Sequence, residues 1–237
     1  MRLATGEETV LVISDLQIPY EHQDALEFVS AVAEVYEPTR IVNIGDEVDQ
    51  HAIGRFDPDP DADAPGPELR AAIKKLHAWY AAFPEVDVCM SNHTQRIYKK
   101  AFHAGIPEAY IRPVEEWLEA PRGWRWSNHV DIDGVRYEHG DAQGGMYAAR
   151  NLAIRNRCST VIGHHHSHGG VFYVANEDEM IFGMNTGCLI NFRSLAFQYA
   201  KMSAFKPTIG CGVVVGGVPY FVPMLMTKTG RWTGEIV

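Results

Sequence analysis

Four short apolar, β-branched runs each lead into side chains that can hold a metal ion. Val10-Leu11-Val12-Ile13 is followed by Asp15 and Gln17, and Arg40-Ile41-Val42-Asn43-Ile44 by Asp46. Val86-Asp87-Val88-Cys89-Met90 is followed by Asn92 and His93, and Thr160-Val161-Ile162 by His164 and His166. A fifth run, Val135-Arg136-Tyr137-Glu138, leads into His139-Gly140-Asp141. In an open α/β sheet, ligands gather outside the carboxyl ends of the strands, so five such ends can bring Asp, Gln, Asn and His to one rim. That mixture of nitrogen and oxygen donors suits borderline divalent ions such as Mn²⁺, Fe²⁺ or Zn²⁺ better than an all-oxygen Ca²⁺ cage. Taken singly, Asp46 would read as a helix N-cap and His164-His165-His166-Ser167-His168 as a polar turn. Their shared position after strand-like runs argues for one site. His165 is expected to face away from His164 and His166, because alternate residues of an extended chain point to opposite sides.

The elements that would position these residues alternate along the chain. The apolar runs are bounded by small or polar residues and read as buried strands. Helical spacing runs from Asp24 to Tyr36 (Leu26, Val29, Val32, Ala33) and from Glu68 to Phe83 (Leu69, Ile73, Leu76, Tyr80), and a third helix is expected from Gly145 to about Asn156. Such alternation predicts an α/β fold with a largely parallel sheet. The last third differs. Val171-Phe172-Tyr173-Val174, Met180-Ile181-Phe182-Gly183-Met184 and the stretch 213–222 read as strands joined by turns, with a hairpin at Gly216-Gly217. A second, mixed or antiparallel sheet packed on the first is expected, within a single domain spanning 1–237. The Pro/Asp-rich stretch from Asp57 to Pro67 has neither period and reads as a surface loop near the site.

Composition narrows the class. The 237 residues are 46% hydrophobic and 22% charged, as in soluble globular proteins. With 21 Lys+Arg against 30 Asp+Glu the net charge is −9, which disfavours a protein whose task is non-specific duplex binding, though not one acting on a nucleotide or a short single strand. No basic cluster beyond Arg55 and Arg96 is read from the sequence. The four cysteines are far apart, the first nine residues lack the apolar core of a secretory signal, and no run is long enough to cross a bilayer. A cytoplasmic protein with buried free thiols is expected.

The order Asp15-Leu16-Gln17, Gly45-Asp46-Glu47-Val48-Asp49, Asn92-His93, His139-Gly140 and Gly163-His164-His165-His166 resembles the calcineurin-like metallophosphoesterase family. No one block is specific; five in this order are. Ser14-Asp15-Leu16-Gln17-Ile18-Pro19, the stretch from Gly45 to Ala52, Glu85-Val86-Asp87-Val88 before Ser91-Asn92-His93, and Gly230-Arg231-Trp232 resemble its phage and prophage branch, which would place the protein in a host cytoplasm. The resemblance implies a four-layer α/β/β/α sandwich of two mixed sheets flanked by helices. It also implies a two-metal centre: Asp15, Gln17 and His166 on one ion, Asn92, His139 and His164 on the other, Asp46 bridging. An activated water would attack phosphorus, and His93 would protonate the leaving oxygen.

Three positions depart from the family's usual pattern. Gln17 stands where His is common, and its neutral, harder carbonyl oxygen favours Mn²⁺ or Mg²⁺ over Zn²⁺. Mn²⁺ is therefore the leading ion, with Fe²⁺, Zn²⁺, Mg²⁺ and Ni²⁺ behind it. Ser91 replaces a Gly. Thr94 replaces an acidic residue, which leaves Asp49 and Glu47 as candidates for the carboxylate that orients His93. Arg96, one turn beyond His93, and Arg55, beside Phe56, are candidate phosphate contacts, each with an ordinary surface role as its rival. Asn185 and His168 are candidates for orienting the ligands. The expected activity is hydrolysis of a phosphodiester, derived from a nucleotide or a nucleic acid. A DNA or RNA nuclease, and a metal-binding or protein-interaction module without turnover, are the alternatives. Self-association is left open.

Overall fold

A computed structural model describes residues 6–54, 59–194 and 205–237. In chain order the elements are β1 (Thr9–Ile13), α1 (Ala25–Tyr36), β2 (Arg40–Asn43), α2 (Pro65–Ala82), β3 (Val86–Cys89), α3 (Arg96–His103), α4 (Val114–Trp117) and β4 (Trp124–Ser127). There follow β5 (Val130–Ile132), β6 (Val135–Tyr137), α5 (Ala148–Asn156), β7 (Ser159–Ile162), β8 (Gly169–Ala175), β9 (Met180–Thr186), β10 (Gly210–Val215) and β11 (Val218–Pro223).

Strand β1 shows how the layers arise. Its side chains alternate between two faces. Val10 and Val12, with Val42 and Ile44 of the β2 run, meet Tyr137, Val161, Phe182 and Met184 of the other sheet. Leu11 and Ile13 point the opposite way, onto Phe28, Val29 and Val32 of α1 and Leu76 and Trp79 of α2. Both faces are covered, so the strand is apolar throughout rather than alternating. On the far side Ala148, Ala149 and Leu152 of α5 pack on Ile162. The result is two mixed sheets face to face, flanked by helices. Phe28 is fully buried between α1 and the sheet, a contribution of up to about 3 kcal/mol.

The six-stranded sheet has the order β11-β10-β1-β2-β3-β4 and the five-stranded sheet β5-β6-β7-β9-β8. Strands β1 to β4 are parallel, as are β6, β7 and β9. Two expectations are corrected here. The hairpin β10–β11 joins the first sheet, antiparallel to β1, rather than the second. Strand β7, read with the N-terminal strands, belongs to the second sheet beside β6 and β9. Boundaries shift as well: α2 starts at Pro65 rather than Glu68, with Pro65 and Pro67 in a first turn that needs no N–H donors. Helix α5 starts at Ala148, after Gly145 at φ +93°. Strand β4 was not anticipated. Its Trp124 and Trp126 lie on the core while Arg125 pairs with Glu85 and Asp87 at 3.0 and 3.1 Å, a period-two pattern visible in the residues themselves.

Cys89, Cys188 and Cys211 are buried and Cys158 half-buried, all as free thiols; burial pushes the three buried thiols far up. Among the described residues no helix is long and apolar enough to cross a membrane.

The C-terminal tail is fastened to the start of α1. The Arg231 guanidinium donates to both oxygens of buried Asp24 (Nε at 2.8 and 3.0 Å), the Trp232 N–H adds a third donor at 2.9 Å, and the Trp232 ring meets Phe28 edge-on at 5.7 Å. Arg231, against the opposing effect of burial, holds the Asp24 carboxyl below its ordinary range. A depressed carboxylate contributes stability that is present above its unfolded value, about 3.9, and is lost as pH falls through the folded value. The melting temperature of wild type should therefore exceed that of Asp24→Asn at pH 7, and the two should converge as pH drops below about 3.9. An offset unchanged across that range in a thermal-melt series would contradict the ionic tether.

Candidate metal centre

The candidate ligands sit at the carboxyl ends of parallel strands from both sheets: Asp15 after β1, Asp46 after β2, Asn92 after β3, His139 after β6, and His164 and His166 after β7. The sheets face each other, so their ends share one rim. The backbone turns sharply there. Asp15 (φ +48°), Gln17 (+47°), Asp46 (+53°) and His164 (+64°) all adopt the left-handed region that non-glycine residues rarely occupy. Strain of this sort persists only where the surrounding structure over-determines it, and it collects at functional sites. Ladder-like bonds hold the loops together: Asp15 N–H to Gly45 O (3.1 Å), Gln17 N–H to Asp46 O (2.8 Å) and Ile18 N–H to Glu47 O (3.1 Å). Gly163 must be glycine for a different reason. A Cβ there would run into Ser14 Oγ and Asp15 Oδ2.

Two clusters emerge, sharing one carboxylate. Asp15, Asp46 and His166 form the first, and Asp46, His139 and His164 the second; within each, the ligand atoms lie within 4.8 Å of one another. In the first, His166 Nε2 is 3.0 Å from Asp15 Oδ1, and the Gln17 amide nitrogen is 3.2 Å from His166 Nε2 and 3.3 Å from Asp46 Oδ2. In the second, His139 Nε2 is 3.4 Å from Asp46 Oδ1, 2.8 Å from Asn92 Oδ1 and 3.1 Å from His164 Nδ1. The His139 Nδ1–H donates to Ile44 O at 3.0 Å, which orients the ring with Nε2 facing the centre.

A pair of divalent cations fits these residues. Asp15 and Asp46 are buried carboxylates set among imidazoles, and buried charge of that kind calls for a partner. Gln17 Oε1 is buried without a hydrogen-bond partner among the described residues, and turning the amide over would place that oxygen among the ligands of the first cluster. Burial alone would raise the Asp15 and Asp46 carboxyls, but His166 at the first and His139, then His93, at the second hold both below the usual range. Burial works against charging His139 and His166, yet the facing carboxylates raise both. His164 is brought down to about 4 by burial and by His139, which leaves it a neutral donor at pH 7.

His93 stands beside the centre rather than in either cluster. Its Nε2 is 3.5 Å from Asp46 Oδ2, and its Nδ1 is 3.1 Å from Asp49 Oδ1. Thr94 gives its hydroxyl to Glu47 (3.1 and 3.2 Å), whose carboxylate also receives Trp126 Nε1–H at 3.3 Å. Asp49, not Glu47, is thus the carboxylate that meets His93. Burial, then Asp46, lifts Glu47 to about 7. The Arg96 guanidinium donates to the Asp49 and Gln50 carbonyls (2.5 and 3.1 Å) and, through Nη2, to His93 Nε2 at 2.7 Å. A guanidinium only donates, so in this arrangement Nε2 is the acceptor and the ring proton sits on Nδ1, facing Asp49. This anchoring of the Asp49 loop was not legible from spacing.

The remaining candidates scatter. His165 turns outward, Nε2–H to Gln143 O at 2.7 Å. His168 meets Ser167 Oγ at 3.1 Å and lies edge-on to His165. Asn185 Oδ1 accepts the Gly187 N–H at 2.9 Å, holding the turn before Cys188. His51 Nδ1 reaches within 3.9 Å of Asp49 Oδ2. Arg55 and Phe56 lie outside the described residues.

No protein-family model matches the chain, and no curated protein does. Solved structures of similar course include Vacuolar Protein Sorting 29 of Cryptosporidium parvum, 15% identical over 98% of this chain and 95% of that one, TM-score 0.46. Nuclease MPE of Pseudomonas putida is 13% identical over 89% of this chain and 87% of its own, TM-score 0.40. The phosphoesterase YfcE of E. coli is 15% identical over 97% and 98%, TM-score 0.38. Superpositions this loose leave the reading of the centre to its own residues.

Proposed function

We propose that the chain is a divalent-metal-dependent phosphoester hydrolase, with phosphodiesters as its preferred substrates. The observation that carries this reading is Asp46, one carboxylate common to two ligand clusters, with an imidazole outside both clusters 3.5 Å away. Asp15, Gln17, Asp46 and His166 would hold one cation, and Asp46, Asn92, His139 and His164 the second. When bound, such a pair supplies Lewis acidity to the phosphoryl oxygens and a nucleophilic water at neutral pH. In hydrolysis the water oxygen bonds to phosphorus as the bond to the leaving oxygen breaks, and that oxygen then needs a proton. His93 is placed to deliver it once Nε2, released from the bond it accepts from Arg96, has taken up a proton from solvent. Arg96 Nη2 lies beside the same nitrogen, so a phosphate drawn to His93 also meets a guanidinium. One guanidinium suits the single negative charge of a diester. Gln17, a neutral oxygen donor when its amide is turned, makes Mn²⁺ the leading ion.

The test is hydrolysis of bis-p-nitrophenyl phosphate by metal-stripped protein with Mn²⁺, Mg²⁺, Zn²⁺, Fe²⁺ or Ca²⁺ restored singly. Turnover that appears with Mn²⁺ and fails with Ca²⁺ is the expected result. Stoichiometric cation binding without turnover by any ion would replace the hydrolase with a binding module.

A further inference from the structure

We propose that the substrate class of this centre is single-stranded nucleic acid, carried on a face made by α5 and the edge strand β8; the proposal rests on the phosphodiester reading above. The first observation is electrostatic. The chain bears a net charge of −9, yet from Ala142 to Asn176 it contains no Asp or Glu and has Arg150, Arg155 and Arg157. All three arginines are exposed. This corrects the expectation that no basic cluster exists beyond Arg55 and Arg96. The missed signal was an absence of acids, not a run of bases.

The second observation is the company those arginines keep. Helix α5 buries Ala148, Ala149 and Leu152 on Ile162, which turns Tyr147, Arg150 and Ile154 outward as one face at helical spacing. Tyr147 is 50% exposed and Met146 53%. Tyr147 meets Phe172 of β8 edge-on, ring centroids 5.5 Å apart, and Phe172 is itself 36% exposed. Among the described residues strand β8 pairs in its sheet with β9 alone. Exposed aromatic rings interleaved with guanidinium groups are the means by which proteins hold unpaired bases and their phosphates.

The third observation is direction. Both elements start at the rim of the metal centre. His165, between candidate ligands His164 and His166, donates to Gln143 O just ahead of Met146 and Tyr147. Strand β8 begins at Gly169, shortly after His166. The acidic residues Glu177, Asp178 and Glu179 sit beyond the far end of β8, so the basic, aromatic stretch is bounded by the centre at one end and by negative charge at the other. A strand lying along this face would bring a backbone phosphate to the centre. Its bases must be unstacked to reach the rings, which selects single strands over duplexes.

The experiment compares wild type with the double variant Tyr147→Ala/Arg150→Glu, both as full chains loaded with Mn²⁺. One arm measures kcat/KM for the oligonucleotide dT12 and for bis-p-nitrophenyl phosphate. The other reads binding of fluorescein-labelled dT12 by anisotropy at two salt concentrations. The expected result is a fall of at least about tenfold in the dT12-to-diester ratio, with weaker and less salt-dependent binding of dT12. An unchanged ratio overturns the proposal, as does a wild type that hydrolyses the small diester but neither binds nor cleaves dT12. An unchanged ratio together with loss of a dimer in size-exclusion chromatography would assign the face to a second copy of the chain, and equally overturns it. Failure of the underlying hydrolase reading looks different: wild type then turns over neither substrate.

Discussion

Asp46→Asn is expected to lower Mn²⁺-dependent hydrolysis of bis-p-nitrophenyl phosphate by about 10³-fold or more, and to weaken both cation sites together. The reason is topological as much as chemical. Asp46 is the one residue common to the two clusters, its Oδ1 facing His139 and its Oδ2 facing Gln17 and His93. Asparagine keeps the shape and one oxygen but removes the negative charge between the two cation positions. Losing several kcal/mol of charge stabilisation in the transition state corresponds to about three decades in rate. Calorimetric titration with Mn²⁺ checks the argument independently of turnover. Asp46→Asn should flatten both binding phases, whereas Asp15→Asn should flatten the one belonging to Asp15 and His166. A variant Asp46→Asn that still binds two ions with wild-type affinity would remove the bridging role, whatever its activity.

His93→Ala should behave in the opposite way, with cation binding retained and kcat reduced by about 10² to 10⁴-fold, the usual range for a positioned proton donor. His93 belongs to neither cluster; its Nε2 accepts from Arg96, and Asp49 Oδ1 stands 3.1 Å from its Nδ1. A general acid matters most when the leaving oxygen is basic. The loss should therefore be smallest for p-nitrophenolate and grow through a series of diesters with poorer leaving groups. Plotting log kcat against leaving-group pKa for both proteins reads this directly. Parallel lines would mean that His93 acts on the phosphoryl oxygens or on metal position instead. Asp49→Asn should give a weaker version of the same steepening, because it loosens the ring without removing it.

Residue types and their spacing specify the set of candidate ligands and the layers that carry them. Asp15, Asp46, Asn92, His139, His164 and His166 each follow an apolar run or its immediate end, and a strand buried on both faces must be apolar and must finish where polar residues begin. Local chemistry alone fixes that much, and the alternation of strands with helical spacing fixes the α/β class. Which sheet each strand joins is set by long-range packing. The β10–β11 hairpin and β7 exchanged places relative to expectation because apolar runs look alike, and their partners lie far away in the chain. Tertiary structure likewise decided between Asp49 and Glu47 as the partner of His93. The two carboxylates stand two residues apart in one loop, and the turn through Gln50, at φ +52° and held by Arg96, accompanies the placing of Asp49 on the imidazole while Glu47 goes to Thr94 and Trp126. The α5 face divides in the same way. Its charge is written in the residues from Ala142 to Asn176, but the meeting of Tyr147 with Phe172 needed helix and edge strand to pack side by side. Composition can assign a residue its chemistry. Its neighbours come from long-range packing, which no local spacing encodes.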